Sequence, residues 1–159
     1  MRTAGSRRGP RASSFALVPG IDYGGLERYF GYALRRAQLA GFDAFHRATQ
    51  GAPITPPRFT ALMILAANPG ISQSLLGRVL GTARSGAMLL TDWLESRGLA
   101  ERRHQPDDGR AWGLYLTPRG AAFLRRLRSK VRAHDLSFAG RLDARERREL
   151  LRLLEKLTG

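Results

Sequence analysis

The sequence predicts a mostly α protein with a small β-hairpin wing: a winged helix-turn-helix domain at 54–117, flanked by helical segments at 21–50 and 118–157. Three observations carry this. Within residues 55–98 lie three helical patterns, the last two joined by a tight turn at Gly81, which is helix-turn-helix spacing. Two short extended runs follow, 99–103 and 111–116, joined by a polar, turn-rich connection, as in a hairpin. Long stretches of helical period precede and follow this unit, with more apolar surface than either buries alone. At 159 residues the chain is near the size of one domain and long enough to bury a core unaided. It has no cysteine, which excludes disulfides, thiolate zinc sites, a cysteine nucleophile and thiol redox switches.

In chain order, residues 1–20 carry Arg2, Arg7, Arg8 and Arg11 among Gly, Ser and Pro with no acid. Such a segment cannot bury enough apolar area to offset its ordering entropy, so a basic, disordered arm is expected, either a plain leader or one that reaches DNA. Its short apolar stretch, 15–18, is below the roughly 7 to 15 residues of a signal-peptide core. The longest apolar run, 61–67, is far short of the roughly 20 residues of a membrane span. A cytoplasmic protein with no membrane partner is expected.

Residues 26–48 have the period of one long helix. Leu26, Phe30, Ala33, Leu34, Ala37, Ala44, Phe45 and Ala48 make its apolar face. A second line of Tyr29, Tyr32, Arg36, Leu39, Asp43 and His46 runs beside it. That half-polar line is either a solvated or subunit-facing edge, or the wall of a ligand pocket. Thr55-Pro56 starts the next helix, with Thr as N-cap and Pro pre-setting the first turn, and Asn68-Pro69-Gly70 ends it. Ser72 caps a short helix at 73–80, and a further helix runs over 83–96 before Gly98. In the second extended run, Trp112, Leu114 and Leu116 alternate with Gly113 and Tyr115. Thr117-Pro118 repeats the cap-plus-proline start and opens a helix to about residue 139. Asp143 with Glu146 three residues on predicts a capping box for the last helix, whose Leu150, Leu151, Leu153, Leu154 and Leu157 need a cover.

Charge sharpens the reading. Lys and Arg number 27 against 13 Asp and Glu, a formal net charge of +14, and all but Lys130 and Lys156 of the basic residues are Arg. The chain is also rich in Ala, Gly and Leu, as in GC-rich genomes, so the bare count is discounted and placement decides. A basic surface attracts polyanions, nucleic acid above all.

The ordered motifs Tyr32-Ala33-Leu34-Arg35-Arg36-Ala37-Gln38, Thr55-Pro56-Pro57-Arg58-Phe59 with Ala61-Leu62, and Asn68-Pro69-Gly70-Ile71-Ser72-Gln73 are followed by Leu80-Gly81 and Asp92-Trp93-Leu94-Glu95-Ser96-Arg97-Gly98-Leu99. Asp108-Gly109-Arg110 and Leu116-Thr117-Pro118-Arg119-Gly120 complete the set. Over about residues 22–157 this set resembles the MarR family of winged helix-turn-helix transcription regulators. The resemblance implies a homodimer joined through its terminal helices, so that 21–50 and 118–157 form a helical dimerisation region. It also implies a double-stranded, pseudo-palindromic DNA operator as partner, no cofactor and no enzymatic activity, with repression the expected mode.

By position in the motif, residues 83–95 match the recognition helix, whose N-terminal residues approach bases in the major groove. Arg84 and Ser85 are the expected base or phosphate contacts; an Arg bridging guanine O6 and N7 contributes about 1 to 3 kcal/mol of discrimination. Gly86 and Leu89 depart from the family pattern. The first admits close backbone approach to DNA, and the second either touches a thymine methyl or packs internally. In the wing, Asp108 and Arg110 match the Asp-x-Arg signature, the Arg entering the minor groove. Arg102, Arg103 and His104 are expected on flanking phosphates, and Ser72 and Gln73 at a helix N-terminus offer backbone N–H groups to phosphate. The resemblance also implies a small-molecule effector site, with Tyr29, Tyr32, Arg36, His46, Phe59 and Met63 as aromatic walls and carboxylate anchor. The Arg-Arg-Ala-Gln run is similar to the branch sensing aromatic acids or aromatic acyl-CoA thioesters.

Enzyme readings do poorly on the residues. The glycines of 81–86 mimic a phosphate loop, but Ala87-Met88 stands where the Lys-Ser/Thr pair is needed. His46, His104 and His134 lie on separate elements, so no metal site is expected. The competing class is a sequence-indifferent basic nucleic-acid-binding protein, architectural or RNA-associated.

Overall fold

The computed structural model describes residues 15–105 and 108–159, and of 108–111 the backbone alone. Most of the predicted arm lies outside the described residues. The chain divides between Ala44 and Phe45 into two compact units. This division falls within the first helix, α1 (Phe30–Ala48).

The helix expected over 26–48 is interrupted. Leu26–Arg28 closes as a 3-10 turn and Tyr29 is extended, with φ −80° and ψ 125°. Its carbonyl then accepts from the backbone N–H of Tyr32 and Ala33, both at 3.1 Å, so Tyr29 stands at the head of α1 instead of inside it. The physical reason is the Gly24-Gly25 pair, both at positive φ, which delivers the chain into a tight turn that helical periodicity cannot foresee. Of the face expected to be core, Leu26, Phe30 and Leu34 are exposed and Phe45 alone is buried.

The second unit holds the helix-turn-helix and wing. α2 (Pro56–Ala67) starts as expected from an extended Thr55, although the Thr side chain makes no cap hydrogen bond. It buries Ala61, Leu62 and Leu65, three- and four-residue steps along one face. α3 (Gln73–Val79) begins at Ser72, whose hydroxyl accepts from the Leu75 N–H at 3.2 Å. Gly81, at φ 61°, turns the chain into α4 (Arg84–Ser96), which buries Ala87, Thr91 and Leu94. The Thr91 hydroxyl donates to the Ala87 carbonyl at 2.8 Å, so its burial leaves no polar group unsatisfied.

β1 (Ala100–Gln105) and β2 (Asp108–Leu116) pair antiparallel, with Ala100 opposite Leu116 and His104 opposite Trp112. The hairpin is longer than the expected runs 99–103 and 111–116, because cross-strand pairing carries both strands into the polar connection. Ile71 bridges Leu114, tying the hairpin base to the start of α3. α5 (Pro118–Phe138) is capped by Thr117, whose hydroxyl accepts from the Gly120 N–H at 2.9 Å and donates to the Gly98 carbonyl at 2.7 Å. After a 3-10 turn at Ala139–Arg141, Asp143 and Glu146 form the capping box of α6 (Ala144–Thr158). The core joins Leu62 and Leu65 of α2 to Leu76, Leu94, Leu114 and Leu124, each from a different element. No residue of α6 is buried. Among the described residues, no helix is long and apolar enough to cross a membrane.

Candidate nucleic-acid interface

The start of α4 follows an extended Ala83 whose side chain supplies no cap, so the first-turn N–H groups face outward with the positive end of the helix dipole. Arg84 and Ser85 are exposed on that turn. Helical steps from them give an exposed stripe through Met88, Leu89 and Asp92. Leu89 is 68% exposed, which removes internal packing as its role and leaves an apolar group for a partner. Met88 joins it; the three-residue step from Ser85 was the available signal for this residue. A cleft of about 270 Å³ between α3 and α4 is bounded by Gln73, Arg78, Thr82 and Arg84 among others, and brings Arg78, absent from the expected set, beside Arg84.

Other candidates also face groups within the protein. A Cβ on Gly86 would fall on the Thr82 hydroxyl, a side-chain group that can turn aside, and the glycine stands half-buried in the first turn of α4 beside Arg84 and Ser85. The Ser72 hydroxyl accepts from the Leu75 N–H as its helix cap, which does not engage the backbone N–H groups that Ser72 and Gln73 are expected to offer to phosphate. The Gln73 amide oxygen accepts from Arg102 Nη2 at 2.9 Å. Arg102 itself, expected on a phosphate, is held by protein carboxylates: Nη2 lies 2.9 Å from Asp92 Oδ1 and Nη1 pairs with Glu95. Two acids on α4 therefore compete with phosphate for the guanidinium expected on DNA.

The outer wing retains exposed cations. Arg103 pairs with Glu101 and lies 5.3 Å from the centre of the Tyr115 ring. The His104 ring is 3.9 Å from that of Trp112, which is 53% exposed and was not among the expected contacts. Asp108 and Arg110 lie on β2, and their side chains fall outside the described residues. Arg58 and Arg97 lie over Trp93, 3.9 and 5.4 Å from its ring centre, which orients both guanidinium groups while each keeps its charge.

The expected effector residues fall in both compact units. In the first, Tyr29 is exposed, Tyr32 sits 6.2 Å from Tyr23 ring to ring, and the Arg36 guanidinium lies 5.8 Å from the Tyr32 ring centre. Arg36 Nε also donates to the Phe15 carbonyl at 2.8 Å. Tyr23, missed because it precedes the helix, thus belongs to this aromatic group. In the second unit His46 is exposed, while Phe59 and Met63 are half-buried against the core, Phe59 tilted on Phe45 at 5.8 Å. On α5, burial pushes His134 below its ordinary pKa, Asp135 opposing and Arg47 reinforcing the shift. On α6, the hydrogen bond between Glu149 and Arg152 lowers the carboxyl and raises the guanidinium. Among the described residues, no group of His, Asp and Glu could hold a metal ion.

Comparison with known proteins places this geometry. The profile of the MarR family matches residues 52–111. A Thauera aromatica protein named for regulation of the hcr operon is 36% identical over 140 residues, covering 86% of this chain and 83% of its own length. The transcriptional repressor CouR, solved on a 23-mer DNA duplex, is 35% identical with a TM-score of 0.81, covering 87% of this chain and 99% of that one. CouR solved with p-coumaroyl-CoA is 34% identical with a TM-score of 0.79, covering 87% and 97%. With its winged helix-turn-helix and this extent of identity, the chain belongs to the MarR family of transcription regulators.

Proposed function

We propose that the protein is a homodimeric repressor that reads a pseudo-palindromic DNA operator and is released by a small aromatic acid or its CoA thioester. The observation that carries the DNA reading is the exposed stripe of Arg84, Ser85, Met88 and Leu89 on an uncapped helix N-terminus. Arg84 supplies bidentate reading of guanine or a phosphate contact, and Met88 and Leu89 offer apolar contact to thymine methyls. Arg103 and His104 on the wing take flanking phosphates, with Asp108 and Arg110 at the minor groove. Two such units related by a dyad would enter major grooves roughly 34 to 36 Å apart. If the dimer neutralises about ten phosphates, the log–log salt slope is about −9. Arg84→Ala is expected to flatten base preference at one or two operator positions while binding to a scrambled duplex changes little, read by salt-matched competition titration. Unchanged preference at every position would remove Arg84 as a base reader.

For the effector, the Tyr23, Tyr32 and Arg36 group supplies aromatic faces beside a guanidinium, the chemistry that an aromatic carboxylate or an acyl-CoA phosphate requires. The likeness to a repressor solved with an aromatic acyl-CoA supports this choice of ligand class. A hundredfold release from DNA corresponds to about 2.7 kcal/mol of coupling, which the effector must supply by preferring the DNA-incompetent state. Arg36→Ala is expected to weaken p-coumaroyl-CoA binding at least tenfold by calorimetry and leave operator affinity within about twofold. Equal loss of both would make Arg36 a structural residue.

A further inference from the structure

Arg102 belongs to β1, yet its backbone N–H and both terminal guanidinium nitrogens bond to the two helices of the helix-turn-helix. Its backbone N–H donates to Glu95 Oε1 at 3.0 Å and its Nη1 pairs with Glu95 Oε2. Its Nη2 reaches Asp92 Oδ1 and Gln73 Oε1, both at 2.9 Å. One wing residue therefore grips α4 at two points a helical turn apart and α3 at its first residue. The Arg102 and Glu95 side chains are 31% and 27% exposed, so solvent screens this pairing less than it does the outer-wing pair of Arg103 with Glu101, at 57% and 40%. Asp92 lies on the exposed stripe of α4 with Arg84 and Met88, where an unpaired carboxylate would repel phosphate.

We propose that Arg102 is a positioning residue: it clasps the wing to α4 and α3, fixing the spacing at which recognition helix and wing meet one duplex, and neutralises Asp92 on the DNA face. The proposal rests on the reading that both elements bind the same DNA. Its chemistry suits the task, because the planar guanidinium presents several donors in a fixed fork and can serve three acceptors at once, which a lysine ammonium does with far less geometric control.

Simple electrostatics and the clasp predict opposite signs for one substitution. Glu95→Gln removes a negative charge close to the DNA face and keeps an amide oxygen for the Arg102 backbone N–H. If Arg102 instead left its carboxylates to contact phosphate, this change would free it and operator binding would tighten. With Arg102 as a clasp, operator affinity falls about tenfold while affinity for a scrambled duplex of equal length stays within about twofold. The test is a titration of the full-length protein at matched salt, on the operator recovered by selection from a random duplex library and on its scrambled counterpart.

Arg102→Gln is expected to reproduce the operator loss, and the double variant Arg102→Gln/Glu95→Gln to lose no more than either single variant, since both break the same contact. Arg102→Lys, which keeps the charge, is expected to lose part of the preference with its thermal midpoint near wild type. That outcome separates spacing from folding. A wild type that discriminates, with a Glu95→Gln variant that binds operator as well or better, overturns the clasp alone, as do losses that add or fall equally on both duplexes. A wild type that does not separate the duplexes overturns the DNA reading and the clasp with it.

Discussion

Replacing Leu151 and Leu157 together by glutamate is expected to leave a folded, monomeric chain whose operator affinity falls by about a thousandfold or more. Both leucines project from α6, where they are 67% and 57% exposed, and Leu150 and Leu153 on the same helix are exposed as well. The other side of α6 is lined by Arg145, Arg148, Glu149, Arg152 and Lys156, so the helix is strongly amphipathic with its apolar face uncovered. Fully burying a leucine contributes roughly 1.5 to 3 kcal/mol. The four leucines of each protomer are about half exposed, so covering them on both gives a gross gain of roughly 6 to 12 kcal/mol, against an association cost of roughly 4 to 15 kcal/mol. The leucines thus offset a cost of the same size, and four buried carboxylates in their place tip the balance against association. Because the substituted residues are exposed within the chain, the monomer's own core is untouched. Light scattering reads the mass and titration the affinity; a variant that remains dimeric would place the subunit contact elsewhere.

Gly120→Ala is expected to cost about 3 kcal/mol of stability and lower the thermal midpoint by about 6 to 12 °C. Thr117 bonds to the Gly98 carbonyl and the Gly120 N–H, and its own N–H donates to the Leu99 carbonyl at 3.1 Å, which draws the first turn of α5 onto residues 98–99. A Cβ on Gly120 would overlap the Leu99 carbonyl oxygen, a backbone atom that cannot rotate aside. Gly86 is the useful contrast. There the atom in the way is the Thr82 hydroxyl, which can turn, and alanine regains about 1 kcal/mol of helix propensity, so the net change is small. Thermal melts of both variants check the pair; a loss below about 1 kcal/mol at Gly120 would contradict the close packing.

What could be read from the sequence was local. Thr55-Pro56, Ser72, Thr117-Pro118 and the Asp143–Glu146 box mark helix starts because each satisfies or pre-sets the first turn through neighbours a few residues away. The alternation at Trp112, Leu114 and Leu116 located a strand for the same reason. The misread features depend on partners distant in sequence or on conformations that periodicity does not encode. Tyr29 fits the helical stripe by spacing and leaves it because of the glycines before it. Arg102 resembles its neighbour Arg103 as a basic wing residue, and only the return of β1 beside α4 sets it against Asp92 and Glu95. Alternation places Trp112 with Leu114 but does not say how far the core reaches along the strand, and Leu114 is buried while Trp112 is exposed. Family resemblance correctly gave the class of protein, while which arginines are engaged within the protein required coordinates.

The net charge of +14 is thereby divided among distinct tasks. Arg102, Arg58 and Arg97 are engaged within the fold, and Arg84, Arg78 and Arg103 remain at the surface of the helix-turn-helix and wing. A charged surface by itself attracts any polyanion; sequence preference requires the ordered side chains of α4. The most direct measurement is therefore selection of the full-length protein on a random duplex library, followed by salt-matched titration of the recovered sequence and its scrambled counterpart. The expected result is a pseudo-palindrome with half-sites about one helical turn apart, bound at least about a thousandfold tighter than the scrambled duplex. Equal affinity for the two, or no enriched sequence, would contradict the account and leave a basic protein that binds nucleic acid without reading it.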